Sequence, residues 1–556
     1  MIEFQHKLPA MNINGVRCGT YNNRELGFPS ILTTTDPKLG LFLHQMQSNI
    51  FADRSLVFID GRILMTDINW IRDHVHVMKA MRHWEYDLKS FLDFIIETQR
   101  EDGQFYELIK QVDDKHWALV NEDCYVMYPD DNLSLVRLEL EADIEYLRNR
   151  NLFSVDFLDY LREFRFTGDI WAVPEGTPIF PKEPIMTIRA PAIEAQLIET
   201  FILLSVNHQS LIATKANRVV RSADGRTVLE FGSRRAQGAD AAILGARAAY
   251  IGGCNSTACT IADEAFGVPA GGTMAHSWVQ MFDTEYDAFV SYCKMYPNNA
   301  TLLVDTYDVL RSGVPNAIRA FREVLEPLGI KKCGIRLDSG DITYLSKKAR
   351  KMLDDAGFTE CKIVVSNSLD ENIIRDIIAQ GAKIDSFGVG ERLITAKSQP
   401  VFGGVYKLVA KEEGGEVIPK IKISENPEKI TNLHFKKVYR IYDNETGKAS
   451  ADLLCVYDET IDDTKPLTIF DPVETWKKKE FTNYTLRELL VPIFKGGECV
   501  YKTPPISEIQ SYCKAEIETL WDEVKRFENP HKYYVDLSEK LWNVKMSLLK
   551  SGGKNN

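Results

Sequence analysis

From Thr227 to Val389 the chain alternates short apolar runs with longer segments in which apolar residues recur every three or four positions. The runs are Thr227–Phe231, Thr301–Val304, Cys333–Leu337, Lys362–Val365 and Ile384–Val389, with Val268–Met274 a weaker member of the series. The intervening segments are amphipathic. In Val314–Leu328 one helical face carries Ile318, Phe321, Val324, Leu325 and Leu328, and Ile342–Ala356 and Glu371–Gln380 behave alike. A continuous apolar run suits a strand covered on both faces, and a helix-length return between such runs makes neighbouring strands parallel. The pattern predicts βαβ units on a parallel sheet. It leaves open a doubly wound sheet or a barrel, including an irregular one.

The flanks have a different rhythm. Residues 142–168 read as helical, with a dense aromatic stretch at Phe153–Phe166. Trp171–Ile193 holds five prolines and short β-like runs such as Pro184–Arg189, which predicts a small β-rich module. Ala192–Val219 has the spacing of one long helix or two, Pro400–Val409 returns to strand character, and Glu474–Leu549 reads as mostly helical. At the other end, residues from about Asp67 show helical spacing through Trp70, Ile71, His74, Val77 and Met78, repeated over Asp87–Thr98.

Composition narrows the class. With 556 residues, 44% hydrophobic and 26% charged, the chain has an ordinary globular profile and ample length for a core. Its formal charge of −12 disfavours binding a nucleic-acid backbone. The apolar runs are too short and too interrupted for a membrane span, and the start carries no basic, apolar leader pattern. Ten cysteines without a Cys-x-x-Cys pair fit free thiols in a reducing cytoplasm. The charge is uneven: residues 1–140 hold 14 Lys+Arg against 21 Asp+Glu, while 18 of the 34 glycines fall within 226–410. Glycine-rich connections between apolar runs are places where backbone can approach a ligand.

The ends of the apolar runs carry the chemistry. Thr227–Phe231 leads into Gly232-Ser-Arg-Arg-Ala-Gln-Gly, Val268–Met274 into Ala275-His276-Ser277, and Thr301–Val304 into Asp305-Thr-Tyr-Asp. Cys333–Leu337 contains Arg336 and leads into Asp338-Ser-Gly-Asp, Lys362–Val365 leads into Ser366-Asn-Ser, and the last run contains Gly388-Val-Gly390. Parallel α/β folds bind ligands at the carboxyl ends of their strands, so such a set on one rim predicts an active site. Arg234, Arg235 and Arg336 are planar donors suited to carboxylate and phosphate. Asp305, Asp338 and Asp341 suit a magnesium ion or ribose hydroxyls. Ser366 and the Gly388–Gly390 turn offer donors to a terminal phosphate. The combination points to a phosphorylated sugar, a divalent metal and a small anionic co-substrate. Taken singly each element has a plainer reading: Asp-Ser-Gly-Asp is also a turn followed by a helix N-cap, and a lone Gly-x-Gly is weak phosphate evidence. Asp73, His74, His76 and His83 lack a metal-ligand register and read as structural or solvated.

Residues from about 142 to 549 resemble the nicotinate phosphoribosyltransferase family. The matching motifs are Gly168-Asp-Ile-Trp-Ala-Val-Pro-Glu-Gly-Thr, Glu230-Phe-Gly-Ser-Arg-Arg-Ala-Gln-Gly, Gly272-Thr-Met-Ala-His-Ser, Ile335-Arg-Leu-Asp-Ser-Gly-Asp, Val365-Ser-Asn-Ser, Phe387-Gly-Val-Gly and Trp521-Asp-Glu-Val-Lys-Arg-Phe-Glu-Asn-Pro. The resemblance implies an α/β fold built on an irregular parallel α/β barrel with a β-rich second domain. It divides the chain into an atypical, mainly helical segment 1–141, a helical and β-rich domain of 142–226 and 400–470, a barrel of 227–399 and a helical segment 471–556. It also implies a homodimer and a reaction joining nicotinate to phosphoribosyl pyrophosphate, with ATP as co-substrate and Mg2+ as cofactor. By the same resemblance His276 is the phosphate acceptor, and a neutral imidazole is a competent nucleophile near neutral pH. Asp305 would orient its ring. Arg234 and Arg336, with Arg235 and Thr273 beside them, would hold nicotinate. Asp338 would take the ribose hydroxyls, and Ser366, Asn367, Gly388 and Gly390 the 5′-phosphate.

The first 140 residues depart from the family. Its opening Asp-x-Tyr-x-x-Thr-Met stretch, whose tyrosine covers the pyridine ring, is not found there. Asp60-Gly-Arg-Ile-Leu-Met-Thr-Asp-Ile-Asn-Trp-Ile-Arg-Asp and Glu101-Asp-Gly-Gln-Phe-Tyr-Glu are instead similar to helical-toroid sugar-hydrolase proteins. The expected join lies within Leu138–Leu147, as a fusion or a misassembled reading frame. The departure keeps a second reading open, an inactive relic without the ring-covering segment. A nicotinamide- or quinolinate-specific transferase is the enzymatic runner-up, and the Arg234–Arg235 pair favours an anionic ring over the neutral amide.

Overall fold

The computed structural model describes residues 143–425 and 430–553, together with short strands between 11 and 120. The chain forms two compact units, Met1–Phe164 and Arg165–Asn556. In the first unit, Ile68–Trp70, Leu108–Asp113 and His116–Val120 form an antiparallel sheet, with two small hairpins before it. The helix expected from Asp67 therefore opens as a strand. Ile68-Asn-Trp70 alternates apolar and polar with a period of two, which suits a strand as well as a helix turn, and it pairs with Leu108–Lys110. Ile71–Met78, Asp87–Thr98 and the acid-histidine group Asp73, His74, His76 and His83 lie outside the described residues. The aromatic stretch does fold as a helix, Val155–Arg162, capped by Ser154, whose hydroxyl accepts from the Phe157 N–H at 3.3 Å.

The second unit contains a six-stranded parallel sheet: β1 (Thr227–Glu230), β2 (Ser256–Thr257), β3 (Ala300–Leu303), β4 (Cys333–Leu337), β5 (Lys362–Val365) and β6 (Ser386–Val389). Their order across the sheet is β2-β1-β6-β5-β4-β3. Read from β3, every strand lies beside its successor and β6 returns to β1, as around a barrel. The ring stays open between β2 and β3. This is the irregular barrel expected from the resemblance, curled rather than doubly wound. Beyond β2, Val268–Met274 contributes a single parallel bridge, Ala270 to Thr257, rather than a strand. Pro269 has no N–H for a ladder, and Gly271-Gly272 has little to hold it extended.

The helix α1 (Glu199–Ser222) leads into β1, and the crossovers include α2 (Ala239–Ile251), α3 (His276–Gln280), α4 (Ile342–Asp355) and α5 (Glu371–Ala379). One core joins sheet and helices, with Phe289, Leu302, Phe321, Ile335, Ile363 and Phe387 all fully buried. The helix expected over Val314–Leu328 forms, but only Val314–Ala320 is α-helical; Phe321–Leu325 winds as a π-helix and Glu326–Leu328 as a 3-10 turn.

The β-rich part combines distant segments. One sheet orders Tyr484–Glu488, Lys436–Asp443, Ala449–Val456 and Val535–Leu537; another joins Val491–Lys495 to Asp169–Ala172 and Met186–Arg189. The carboxyl-terminal segment is thus less helical than its spacing predicts. It contributes helices Ile506–Glu518 and Glu539–Lys550, and otherwise completes these sheets. Its strands are short and amphipathic, and a four- or five-residue run does not distinguish the two periods. Pro400–Val409 also carries no strand; with Pro400 and Gly403-Gly404 inside it, it runs irregularly, tied by the Tyr406 hydroxyl to the Ala195 carbonyl at 2.7 Å. Arg440 and Asp452, neither with any side-chain exposure, pair across two strands at 2.9 and 2.7 Å. Arg440 also donates to the Pro178 carbonyl at 2.8 Å, and the Tyr533 hydroxyl donates to Asp452 at 3.2 Å. No helix among the described residues is long and apolar enough to cross a membrane. The cysteines among them are free thiols.

Candidate active site

Because all six strands run the same way, their carboxyl ends meet at one rim. There the structure gathers His276, Asp305, Arg336 and Asp338. His276 opens α3 and its side chain is 40% exposed. Its Nε2 faces two carboxylates, Asp305 Oδ1 at 3.9 Å and Asp338 Oδ2 at 3.7 Å. Both distances are ion-pair range rather than hydrogen-bond range. The hydrogen bond that fixes the ring joins Nδ1 to the Thr306 hydroxyl at 3.1 Å. The orienting contact expected from Asp305 is therefore made by its neighbour.

Asp305 is committed elsewhere with one oxygen and free with the other. Its carboxylate is 1% exposed; Oδ2 accepts from the Asp338 N–H at 3.0 Å and the Ser339 hydroxyl at 2.6 Å, and Oδ1 is buried without a hydrogen-bond partner. So Asp305 braces the turn after β4 while presenting an unsatisfied oxygen toward His276. Asp338 shares its own carboxylate between Ser366, whose hydroxyl donates to Oδ1, and the rim. Asp341 takes the plainer of its two roles: it caps α4, accepting from the Tyr344 N–H at 2.9 Å.

Arg336 lies mostly buried in β4. It donates to the Thr273 hydroxyl and, at 3.3 Å, to the Met274 carbonyl, and stands 3.6 Å from Asp338. Its Nε is buried and unpartnered. Burial lowers its pKa, Asp338 and Asp305 oppose that shift, and Arg234 adds to it by repulsion. Arg234 is thus within electrostatic reach of Arg336, from the exposed turn Ser233–Arg235 beyond β1. The two arginines add positive charge to a rim that also holds carboxylates, a combination suited to an anion.

The loop after β5 places Asn367 and Ser368 in the left-handed region, with φ of 90° and 49°. Such successive turns of backbone make anion-binding concavities. Ser366 is buried and its hydroxyl is taken by Asp338, so its contribution to this loop is support of a carboxylate. Gly388 and Gly390 serve close packing first. A Cβ at 388 would stand 2.5 Å from the Phe231 ring, and one at 390 would stand 2.9 Å from the Phe231 carbonyl oxygen. Arg235 lies on the same exposed turn as Arg234.

Three residues outside the expected set belong to the site: Thr306 on the His276 ring, Ser339 on Asp305, and the buried Glu230 at the end of β1. The first two sit inside clusters that are visible as polar run-ends. Glu230 is visible as an acid closing an apolar strand, a position that needs a buried partner. Among the described residues no group of three or more His, Cys, Asp or Glu side chains is arranged to hold a metal ion.

Family models and known relatives match much of the chain. The family model for the nicotinate phosphoribosyltransferase N-terminal domain matches residues 131–207, and that for the C-terminal domain matches residues 435–545. The first match begins ahead of the join expected at Leu138–Leu147. The nicotinate phosphoribosyltransferase of Bacillus subtilis is 48% identical over 406 residues, covering 73% of this chain and 82% of the relative. That of Dictyostelium discoideum is 32% identical over 543 residues, covering 86% of this chain and 87% of the relative. The crystal structure of human nicotinic acid phosphoribosyltransferase superimposes with a TM-score of 0.65 at 27% identity, covering 73% of this chain and 88% of that one. On the strand-end motifs, the barrel that gathers them and these relatives together, the chain belongs to the nicotinate phosphoribosyltransferase family.

Proposed function

We propose that this chain transfers the phosphoribosyl group of phosphoribosyl pyrophosphate to nicotinate, giving nicotinate mononucleotide and pyrophosphate for NAD biosynthesis, with ATP hydrolysis coupled through phosphorylation of His276. The observation that carries the reading is the meeting of two kinds of group on one rim: the arginines 234 and 336, the latter 3.6 Å from Asp338, and His276 with Asp305 and Asp338 3.9 and 3.7 Å from its ring. In the transfer, the bond from the ribose C1′ to pyrophosphate breaks with its electron pair going to the leaving group. The pyridine nitrogen then supplies the pair for the new bond at C1′. Arg336, through its unpartnered Nε, and Arg234 would hold the ring carboxylate and so fix the nitrogen toward C1′. Asp338 would accept from the ribose hydroxyls, and the backbone of Asn367–Ser368 and Gly388–Gly390 would hold the 5′-phosphate.

In the coupled step, one imidazole nitrogen of His276 would attack the terminal phosphoryl group of ATP, and ADP would leave. Asp305 and Asp338 would stabilise the cationic ring that forms. Magnesium fits as a companion of the substrate phosphates, since it commonly takes one or two carboxylates and keeps the rest of its shell from phosphate and water. The unpartnered Asp305 Oδ1 and the Asp338 carboxylate are the oxygens that would hold it. When bound it would neutralise charge on departing pyrophosphate. The reading also carries a cytoplasmic homodimer.

The test is pyrophosphate release with nicotinate, nicotinamide or quinolinate, each with and without ATP. Turnover with nicotinate, faster with ATP, is expected. Preference for either of the other rings assigns the runner-up activity, and no turnover from folded protein with any of the three leaves the relic reading.

A further inference from the structure

We infer that Glu230 is a positioning residue, aiming Arg234 at the ring substrate by clamping the turn Gly232–Arg235. Its side chain is fully buried at the end of β1. One oxygen, Oε1, accepts the Gly232 N–H; the other accepts the Thr257 hydroxyl of β2 at 2.6 Å. Thr257 in turn accepts the Cys259 N–H at 3.0 Å. Burial raises the pKa of Glu230, and these two hydrogen bonds, rather than a cation, oppose the shift. A carboxylate kept out of water without a countercharge is expensive. What this one holds is the first residue of the turn that carries Arg234.

The rest of the turn is closed by its own backbone, including Ala236 N–H onto the Ser233 carbonyl at 3.2 Å. Arg235 N–H closes it onto the Gly232 carbonyl at 2.7 Å, and both arginines are exposed. Gly232 is closely packed: a Cβ there would stand 2.5 Å from the Ile394 Cβ. With Ile394 packed against Gly232 and Glu230 Oε1 on its N–H, the direction in which the turn leaves β1 is set by the buried carboxylate. An arginine on a turn pays little entropy on binding only if the turn itself is already ordered. Glu230 supplies that order without touching any substrate.

The inference rests on Arg234 binding nicotinate, so the experiment separates the two. Full-length protein is compared with Glu230→Met, which removes both acceptors, Glu230→Gln, which keeps one for Gly232 and turns its amide to Thr257, Thr257→Val, Arg234→Ala, and the Glu230→Met/Arg234→Ala double variant. Glu230→Met should raise KM for nicotinate about tenfold, the equivalent of the one buried hydrogen bond that holds Gly232. KM for phosphoribosyl pyrophosphate should change less than about twofold, and Glu230→Gln should restore most of the effect. The double variant should match Arg234→Ala alone, because the two act as one unit. Limited trypsin digestion after Arg234 and Arg235 reads the turn without any substrate, and should speed up in Glu230→Met and, more mildly, in Thr257→Val if the first variant folds poorly. Equal rises in both KM values, multiplicative effects in the double variant, or unchanged cleavage of the turn would overturn the inference. If only Arg234→Ala leaves nicotinate KM unchanged while the turn loosens as expected, the role of Arg234 fails and the clamp on the turn stands.

Discussion

What a rim side chain can contribute depends on which of its atoms are already engaged. Asp305, Asp338 and Asp341 look alike as carboxylates along the sequence, yet one has a free buried oxygen, one is shared with Ser366, and one caps a helix. His276 is legible as a lone imidazole among small residues, whereas Thr306 is legible only as part of a polar run-end, and its own role appears when the fold brings it 3.1 Å from Nδ1. His276→Ala removes the nucleophile of the proposed ATP step and leaves both arginines and Asp338 in place. It should abolish the acceleration by ATP while a slower, uncoupled transfer survives, measured by following pyrophosphate and ADP formation separately. Loss of neither activity would take His276 out of its assigned role.

At the scale of elements, long repeated periods were readable and short or irregular pieces were not. The five strong apolar runs and the crossover helices formed where their spacing predicts. β2 is two residues long, too short for any pattern, and Val268–Met274 has the hydrophobicity of a strand without a continuous set of donors. The segment Val309–Ala320 shows why such pieces depend on contacts. Its π-helical opening, Val309–Gly313, begins with Asp308 accepting from the N–H groups of Leu310 and Arg311 and brings Gly313 against the end of β3. A Cβ on Gly313 would overlap the Val304 carbonyl, which is backbone and cannot move aside as a side chain would. Gly313→Ala should therefore cost roughly 1–3 kcal/mol or more of stability by overpacking, seen as a lower midpoint in thermal or denaturant unfolding. An unaltered midpoint would mean that β3 and this helix adjust freely.

For the whole molecule, segments hundreds of residues apart close the same sheets, and buried charge joins them. Arg440 and Asp452 hold the loops of Pro178 and Tyr533 to one sheet. Nearby in that sheet, burial, reinforced by Asp471, pushes the Asp536 carboxyl up to about 7. The folded state therefore keeps this proton to higher pH than the unfolded chain does. Its contribution is complete below the unfolded carboxyl value of about 4 and is lost as pH rises through 7. Asp536→Asn should flatten that loss, raising the unfolding midpoint relative to the parent at pH 8 and changing it little at pH 4; identical shifts at both pH values would refute this. The sequence by itself determined the parallel sheet, its amphipathic crossovers and the polar ends of its strands, because strand and helix periods and local donor chemistry are written in neighbouring residues. Tertiary structure alone decided that the sheet curls with a seam between β2 and β3, that carboxyl-terminal strands complete a sheet begun at Asp169, and which oxygen of each aspartate remains free. Those outcomes depend on contacts between residues far apart in the chain, for which a single sequence has no local pattern.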